Sequence, residues 1–303
     1  SGNDYHSLIK AKDAEVFAYR KGNFRDYSDI YLTDSKFKSN MKVSATNPQA
    51  DKYLWGDVKL VYWTSFNDDK LTGLLYTPEN MDLTKKYPML VYFYEKSSDG
   101  IHSHRIPSPS RSIISIPWCT SNDYVVFVPD IVYRDGYPGE SAYDAIVSGT
   151  IAMTENNSFI DKDRIGIQGQ SWGGYQVAYL VTQTNIYAAA MAGAPVSNMT
   201  SAYGGIRWGT GMSRMFQYEH TQSRIGGTLW EKPMLYIENS PLFHAPRVET
   251  PLLMMHNDAD GAVPWYQGIE FFVALRRLDK PVWMLTYNNE EHNLTKWPNR
   301  IDL

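Results

Sequence analysis

The sequence predicts an α/β protein built on a mostly parallel sheet, and three observations carry that prediction. From Met89 onward six strongly apolar segments recur: MLVYFY, YVVFVPDI, RIGIQG, AAAMAGAP, TPLLMMHN and PVWMLTYN. Their continuous apolar character is that of strands covered on both faces. Between them lie stretches of helical periodicity, SAYDAIVSGTIAMTEN, YQVAYLVTQT and PWYQGIEFFVALRRLDK, the last with Pro264 placed at a helix start. Ahead of them KLVYWTSF and LTGLLYTP flank the turn NDDK and read as an antiparallel hairpin. Strands alternating with helices put helices on both faces of the sheet.

Taken in order, the chain opens with a different texture. From about Glu15 to Trp63, EVFAYRKG, SDIYLTD, MKVSATN and VKLVYW alternate apolar and polar residues between Gly, Asn and Asp-rich turns. These short strands carry too little apolar surface for a stable domain of their own. The expected division is therefore a β-rich segment over residues 1–56 and an α/β domain over 57–303. Within the latter, Tyr203 to Glu249 breaks the alternation with six glycines, two tryptophans and Arg207, Arg214 and Arg224. An insertion at that point lies over the carboxyl edge of the sheet, where ligands bind in open α/β folds, and reads as one wall of a substrate cleft.

Composition narrows the function classes. A chain of 303 residues is long enough for a substantial core. A net charge of -4 without a basic run gives no electrostatic reason to expect nucleic acid or an anionic membrane as partner. Cys119 is the single cysteine, so no intrachain disulfide forms. No apolar run is long enough to span a bilayer, and SGNDYHSLIK has no signal-peptide apolar region. The Ser-Gly start without Met reads as a segment cut from a longer parent. Asn156, Asn198 and Asn293 head N-x-[ST] sequons that read as chance matches. His102 and His104 have metal-like spacing, but without a Cys or paired acid they read as loop, and no metal or cofactor is expected. Arg207 and Arg224 could meet a substrate carboxylate or carbonyl, or serve in salt bridges.

The chemistry is expected around GQSWG, residues 169–173. Ile165 and Ile167 form a strand, the glycines a sharp turn and Tyr175 onward a helix, with Ser171 at the apex. G-x-S-x-G in that setting is a nucleophile elbow, in which residues without Cβ let strand and helix pass closely. A serine hydroxyl needs a base, and the base an orienting acid. In α/β-hydrolases these follow in the order Ser, acid, His, on loops after late strands. HNDADGAVP offers Asp258 and Asp260, and EEHNL offers His292.

GQSWGGY, HNDADGAVP and EEHNL together resemble the catalytic α/β-hydrolase domain of the prolyl oligopeptidase family of serine peptidases, its dipeptidyl peptidase branch included. The resemblance implies Ser171 as nucleophile, Asp260 as acid and His292 as base. Asp258 becomes a turn residue and His256 a structural hydrogen-bonder. It implies an oxyanion site made by the Trp172 amide and the Tyr94 hydroxyl, with Tyr92 as the competitor. The Gly-Gly-Pro or Ala-Gly-Pro common in the family after that tyrosine is replaced here by Glu95, Lys96 and Ser97. A pocket for the residue before the scissile bond is implied at Trp172, Val196, Met199 and Val263, although Met199, Ala202 and Ile206 stand where relatives carry rings. The first 56 residues are implied to be the remnant of the last blade of a β-propeller missing from this chain. The tail after His292 looks short of a helix that packs on the sheet in relatives.

The expected activity is hydrolysis of peptide bonds in short peptides through an acyl-enzyme. A carboxylesterase with the same triad, and a silent fragment acting as a binding module, are the alternatives. The implied partners are short peptides, the missing propeller and a second copy of the chain as a homodimer. The implied compartment of the parent is the bacterial periplasm or the exterior, with the cytoplasm as the other option.

Overall fold

A computed structural model describes residues 2–303. It opens with strands β1 (Asp4–Lys10), β2 (Val16–Gly22), β3 (Asp29–Asp34) and β4 (Asn40–Lys42), followed by β5 (Asp57–Thr64), β6 (Lys70–Thr77) and β7 (Tyr87–Tyr92). Helix α1 (Ile116–Ser121), strand β8 (Val125–Pro129), helix α2 (Pro138–Asn156), strand β9 (Ile160–Gln170), helix α3 (Trp172–Leu180) and strand β10 (Ala189–Gly193) come next. The insertion holds α4 (Met199–Tyr203), the short ribbon β11 (Ile206–Arg207) and β12 (Met212–Ser213), α5 (Met215–Glu219) and α6 (Pro233–Glu238). Strand β13 (Leu252–Met255), helix α7 (Tyr266–Arg277), strand β14 (Val282–Leu285) and helix α8 (Trp297–Asp302) complete the chain.

The first four strands form an antiparallel sheet in sequence order. β1 lies outside the β segments expected from sequence. Its register shifts between His6 and Ile9, and Ser7 takes a positive φ of 57°, so a bulge breaks the two-residue period by which a strand is recognised. MKVSATN is mostly not strand. Beyond Lys42 the backbone is held instead by Asp29, whose carboxylate accepts from the Ser44 hydroxyl at 2.7 Å and the Thr46 amide at 2.8 Å. This sheet meets the rest of the chain through the Trp55 indole, which donates to the Phe24 carbonyl at 2.8 Å, and through His104 stacked on Trp55. The metal-like His102–His104 pair thus contains a packing residue, and burial lowers the affinity of His104 for a proton.

The main sheet has eight strands in the order β14-β13-β10-β9-β7-β8-β6-β5. β5 and β6 run antiparallel as the hairpin, β6 pairs antiparallel with β8, and the pairs from β8 through β14 are parallel. Leu75, Met89, Val91, Phe127, Ile167 and Met254 are buried in a core on one face of the sheet, and Leu74, Tyr76, Val126 and Val128 in a second cluster on the other. That explains why the central segments read as unbroken apolar runs. Pro264 precedes α7 but is not its first residue: the helix starts at Tyr266, with the Gln267 amide reaching back to the Pro264 carbonyl at 2.9 Å. No helix of the described residues is long and apolar enough to cross a membrane.

The tightest junction is where β9 turns into α3. A Cβ on Gly174 would fall inside contact distance of the Gly193 carbonyl oxygen, and one on Gly173 would lie 2.5 Å from the Phe93 carbonyl oxygen. Both obstacles are backbone, one the last residue of β10 and the other the residue just past β7, and cannot step aside. Gly174→Ala is expected to cost about 2–3 kcal/mol of stability, whereas Gly204→Ala, at a position open to solvent, stays within about 0.5 kcal/mol. Urea unfolding of the two variants checks the contrast.

Candidate active site

Ser171 stands between β9 and α3 with φ 62° and ψ -115°. Such a backbone costs about 1–3 kcal/mol and persists only where surroundings enforce it. Here the Ser171 amide donates to the Gly193 carbonyl at 2.8 Å, and the Ser171 carbonyl accepts from the Tyr175 amide at 2.9 Å. The serine faces a cavity of about 810 Å³ lined on its other sides by His292, Tyr94, Val196, Val263 and residues of the insertion. Trp172 is the first residue of α3, so its amide has no acceptor within the helix.

Asp260 and His292 come together at the far ends of β13 and β14. His292 Nδ1 lies 2.7 Å from Asp260 Oδ2. Asp260 Oδ1 accepts from the amides of Ala262 and Val263, each at 2.8 Å. Burial alone would raise the Asp260 carboxyl; hydrogen bonds and charge from His256 and His292 outweigh it and hold the group well below the usual carboxylate range. The acid is therefore a carboxylate that can only accept. His256 is fully buried, and its Nε2 donates to the Val263 carbonyl at 3.0 Å. Asp258 is exposed and accepts from the Asn289 amide at 2.7 Å.

The loop carrying His292 is anchored on both sides. Gln170, next to the serine, donates to the His292 carbonyl at 2.8 Å, and Asn257 donates to the Glu291 carbonyl at 2.7 Å. Glu290 is buried and accepts from Thr295, Lys296 and Asn299. Burial would raise its carboxyl, but those donors pull it down to about 2.

Tyr94 lies two residues past the end of β7, is 39% exposed and borders the cavity. Its hydroxyl accepts from Gln222 Nε2 at 3.0 Å, and its carbonyl accepts from Gln176 Nε2 at 2.7 Å. Tyr92, half-buried at the strand end, borders the same cavity. In place of glycines, the following loop is fixed by Asp130, which accepts from the amides of Ser97 and Ser98 at 2.7 and 3.0 Å. Glu95 reaches Arg224 of the insertion at 3.3 Å, and the Arg224 guanidinium lies 4.4 Å from the centre of the Tyr133 ring. The Tyr133 hydroxyl, pushed well up by burial, accepts from the Trp172 indole at 2.9 Å and from Gln176 at 2.7 Å.

Of the pocket residues implied by the sequence, Trp172, Val196 and Val263 line the cavity. Met199 does not. It is fully buried in the cluster beneath, against Tyr203 and Tyr236, because it heads α4 and that helix turns its first residue into the core. Asn198 caps the same helix, accepting from the amides of Thr200 and Ser201. It is buried, so its sequon is closed in the folded chain. Tyr133, Gln176, Gln222 and Asp130 escaped the sequence reading because no motif contains them. Asp130, right after a buried strand in VVFVPD, was the one with a usable signal. Among the described residues no cluster of three or more His, Cys, Asp or Glu could hold a metal ion. Burial pushes the Cys119 thiol up to about 11, far from a reactive thiolate.

A profile of the prolyl oligopeptidase family matches residues 111–303. The chain belongs to the prolyl oligopeptidase family. The match takes in the elbow and the loops of Asp260 and His292. Among relatives of that family, the uncharacterized peptidase YuxL of Bacillus subtilis (strain 168) is 31% identical over 163 residues, covering 54% of this chain and 23% of its own length. Dipeptidyl-peptidase 5 of Porphyromonas endodontalis is 24% identical over 291 residues, covering 88% of this chain and 39% of its own length. The chain thus spans well under half the length of these relatives. Acylaminoacyl peptidase of Pyrococcus horikoshii superposes with a TM-score of 0.75 at 20% identity, over 96% of this chain and 46% of that structure. At that identity the likeness shows the fold, that of the α/β-hydrolase peptidases.

Proposed function

We propose that this chain is the hydrolytic part of a serine peptidase that cleaves short peptides through an acyl-enzyme. One observation carries the reading: the strained elbow bearing Ser171 and the His292 end of the 2.7 Å Asp260–His292 pair border a single cavity. Because Asp260 occupies Nδ1, His292 has Nε2 free to take the Ser171 proton. Ser171 Oγ then bonds to the acyl carbon, and the proton passes from Nε2 to the leaving amine as the C–N bond breaks. Water, activated by the same nitrogen, hydrolyses the ester and returns Ser171 to its starting state.

The Trp172 amide and the Tyr94 hydroxyl are the proposed donors to the oxyanion. Tyr94→Phe is expected to lower kcat about 10²–10³-fold with little change in KM, as for loss of one such donor. Tyr92→Phe, at the last residue of β7, is expected to leave kcat near wild type. Steady-state kinetics on a peptide anilide compares them.

Residues 1–56 are proposed to be the end of a propeller blade and 57–303 the hydrolase domain. The antiparallel order of the first four strands, and the exposed Tyr5, Leu8, Ile9 and Met41 on them, support that division. The enzymatic reading is tested by fluorophosphonate labelling and mass spectrometry. An adduct on Ser171 is expected; its absence in folded protein leaves the binding-module reading. Matched amide and ester substrates then separate peptidase from esterase.

A further inference from the structure

Arg214 is among the largest fully buried side chains, at 1% exposure. A buried cation ordinarily has a carboxylate beside it, because an unpaired buried charge is costly. Among the described residues Arg214 makes no ion pair: one guanidinium nitrogen donates to the Ala262 carbonyl, and its Nε is buried without any hydrogen-bond partner. The guanidinium lies 5.5 Å from the centre of the Tyr218 ring, whose buried hydroxyl is likewise unpartnered. Ala262 is next to Val263, and Arg214, Trp172, Val196 and Val263 border the same cavity as Ser171. Arg214 therefore supplies a desolvated positive charge beside the apolar side chains of Trp172, Val196 and Val263.

The charge balance of the cavity points the same way. Arg207, partly buried and also without an ion pair among the described residues, borders it, whereas the Glu95 carboxylate is already engaged by Arg224. The cleft is cationic in a chain of net charge -4. The Arg214 amide donates to the Gly205 carbonyl at 3.1 Å, which folds the ribbon back and brings Arg214 to the cavity wall.

Building on the assignment of Ser171 as nucleophile, we propose that this pocket selects an acidic residue, aspartate or glutamate, immediately before the scissile bond, with Arg214 as the ion-pair partner of its carboxylate. The apolar walls of Trp172, Val196 and Val263 contact the side-chain methylenes, and the substrate supplies the anion that the fold withholds. Arg207 adds longer-range attraction.

The test separates this from the catalytic reading by measuring binding to Ser171→Ala protein. Acetyl-Ala-Glu-amide and acetyl-Ala-Gln-amide have nearly the same shape and differ in one charge. Titration calorimetry is expected to show the glutamyl peptide binding about 10- to 100-fold tighter. The ratio should fall to about one when Arg214→Met is added and be partly retained with Arg214→Lys. Equal affinities, or no binding of the glutamyl peptide, overturn the proposal. A glutamyl preference that survives Arg214→Met removes Arg214 from it. Should Arg214→Met fail to fold, the wild-type ratio and the lysine variant still decide. Failure of the nucleophile assignment shows separately, as absence of the fluorophosphonate adduct on Ser171 whichever peptide binds.

Discussion

Replacing Ser171 with alanine is expected to reduce turnover of a peptide substrate by about 10⁶-fold while leaving the protein folded. The size of the effect follows from the proposed chemistry: without Oγ there is no acyl-enzyme, and His292 has no hydroxyl proton to take. The fold should survive because the elbow is held by its main chain. The bonds from the Ser171 amide to Gly193 and from the Tyr175 amide to Ser171 do not involve the hydroxyl. Alanine has the same Cβ as serine and meets no new contact. Kinetics paired with circular dichroism and urea unfolding checks both halves. Activity within tenfold of wild type in a folded variant would remove Ser171 from the mechanism.

What could be read from the sequence followed from how local each determinant is. Strands β7 to β10 and β13 were legible because both of their faces are covered, which leaves an apolar run in the text, and β14 because its residues are apolar although Trp283 on this edge strand is exposed. The elbow was legible because backbone contacts at Gly173 and Gly174 exclude a side chain, and that exclusion is written in the residues themselves. Asp260 and His292 were legible as candidates by order and loop position, although they lie 32 residues apart. β1 was not, because the bulge at Ser7 interrupts its period.

The cleft was the least legible part, for a related reason. Gln222 reaches Tyr94 across 128 positions and Arg224 reaches Glu95 across 129. Contacts of that span depend on how the insertion folds back over the sheet edge, and nothing in either segment alone encodes them. Arg214 is the sharpest case. On a glycine-rich stretch an arginine reads as a solvated surface residue, since arginine is almost never fully buried unpaired. Its burial is a property of the ribbon from Ile206 to Ser213 and of the loop after Asp260, which meet only in the folded chain. Met199 shows the converse, a position counted as pocket wall that the α4 turn commits to the core.

Asp260→Asn is expected to lower kcat by about 10⁴-fold with little loss of substrate binding. The carboxylate is surrounded by donors: two amides on Oδ1 and His292 Nδ1 on Oδ2, with His256 Nε2 at 3.5 Å. An asparagine must keep its oxygen toward the amides of Ala262 and Val263, because those cannot turn away. Its NH₂ group then faces His292, and two donors cannot share that contact. The imidazole is forced into the tautomer with its proton on Nε2, which in the proposed mechanism can no longer accept the Ser171 hydroxyl proton. The charge that would stabilise the imidazolium is lost as well. Asp258→Asn supplies the control: that side chain is exposed and accepts one amide from Asn289, which an asparagine oxygen can also do. Measuring kcat and KM for both variants on the same substrate distinguishes the two acids, and a similar small effect at both positions would sink the role given to Asp260.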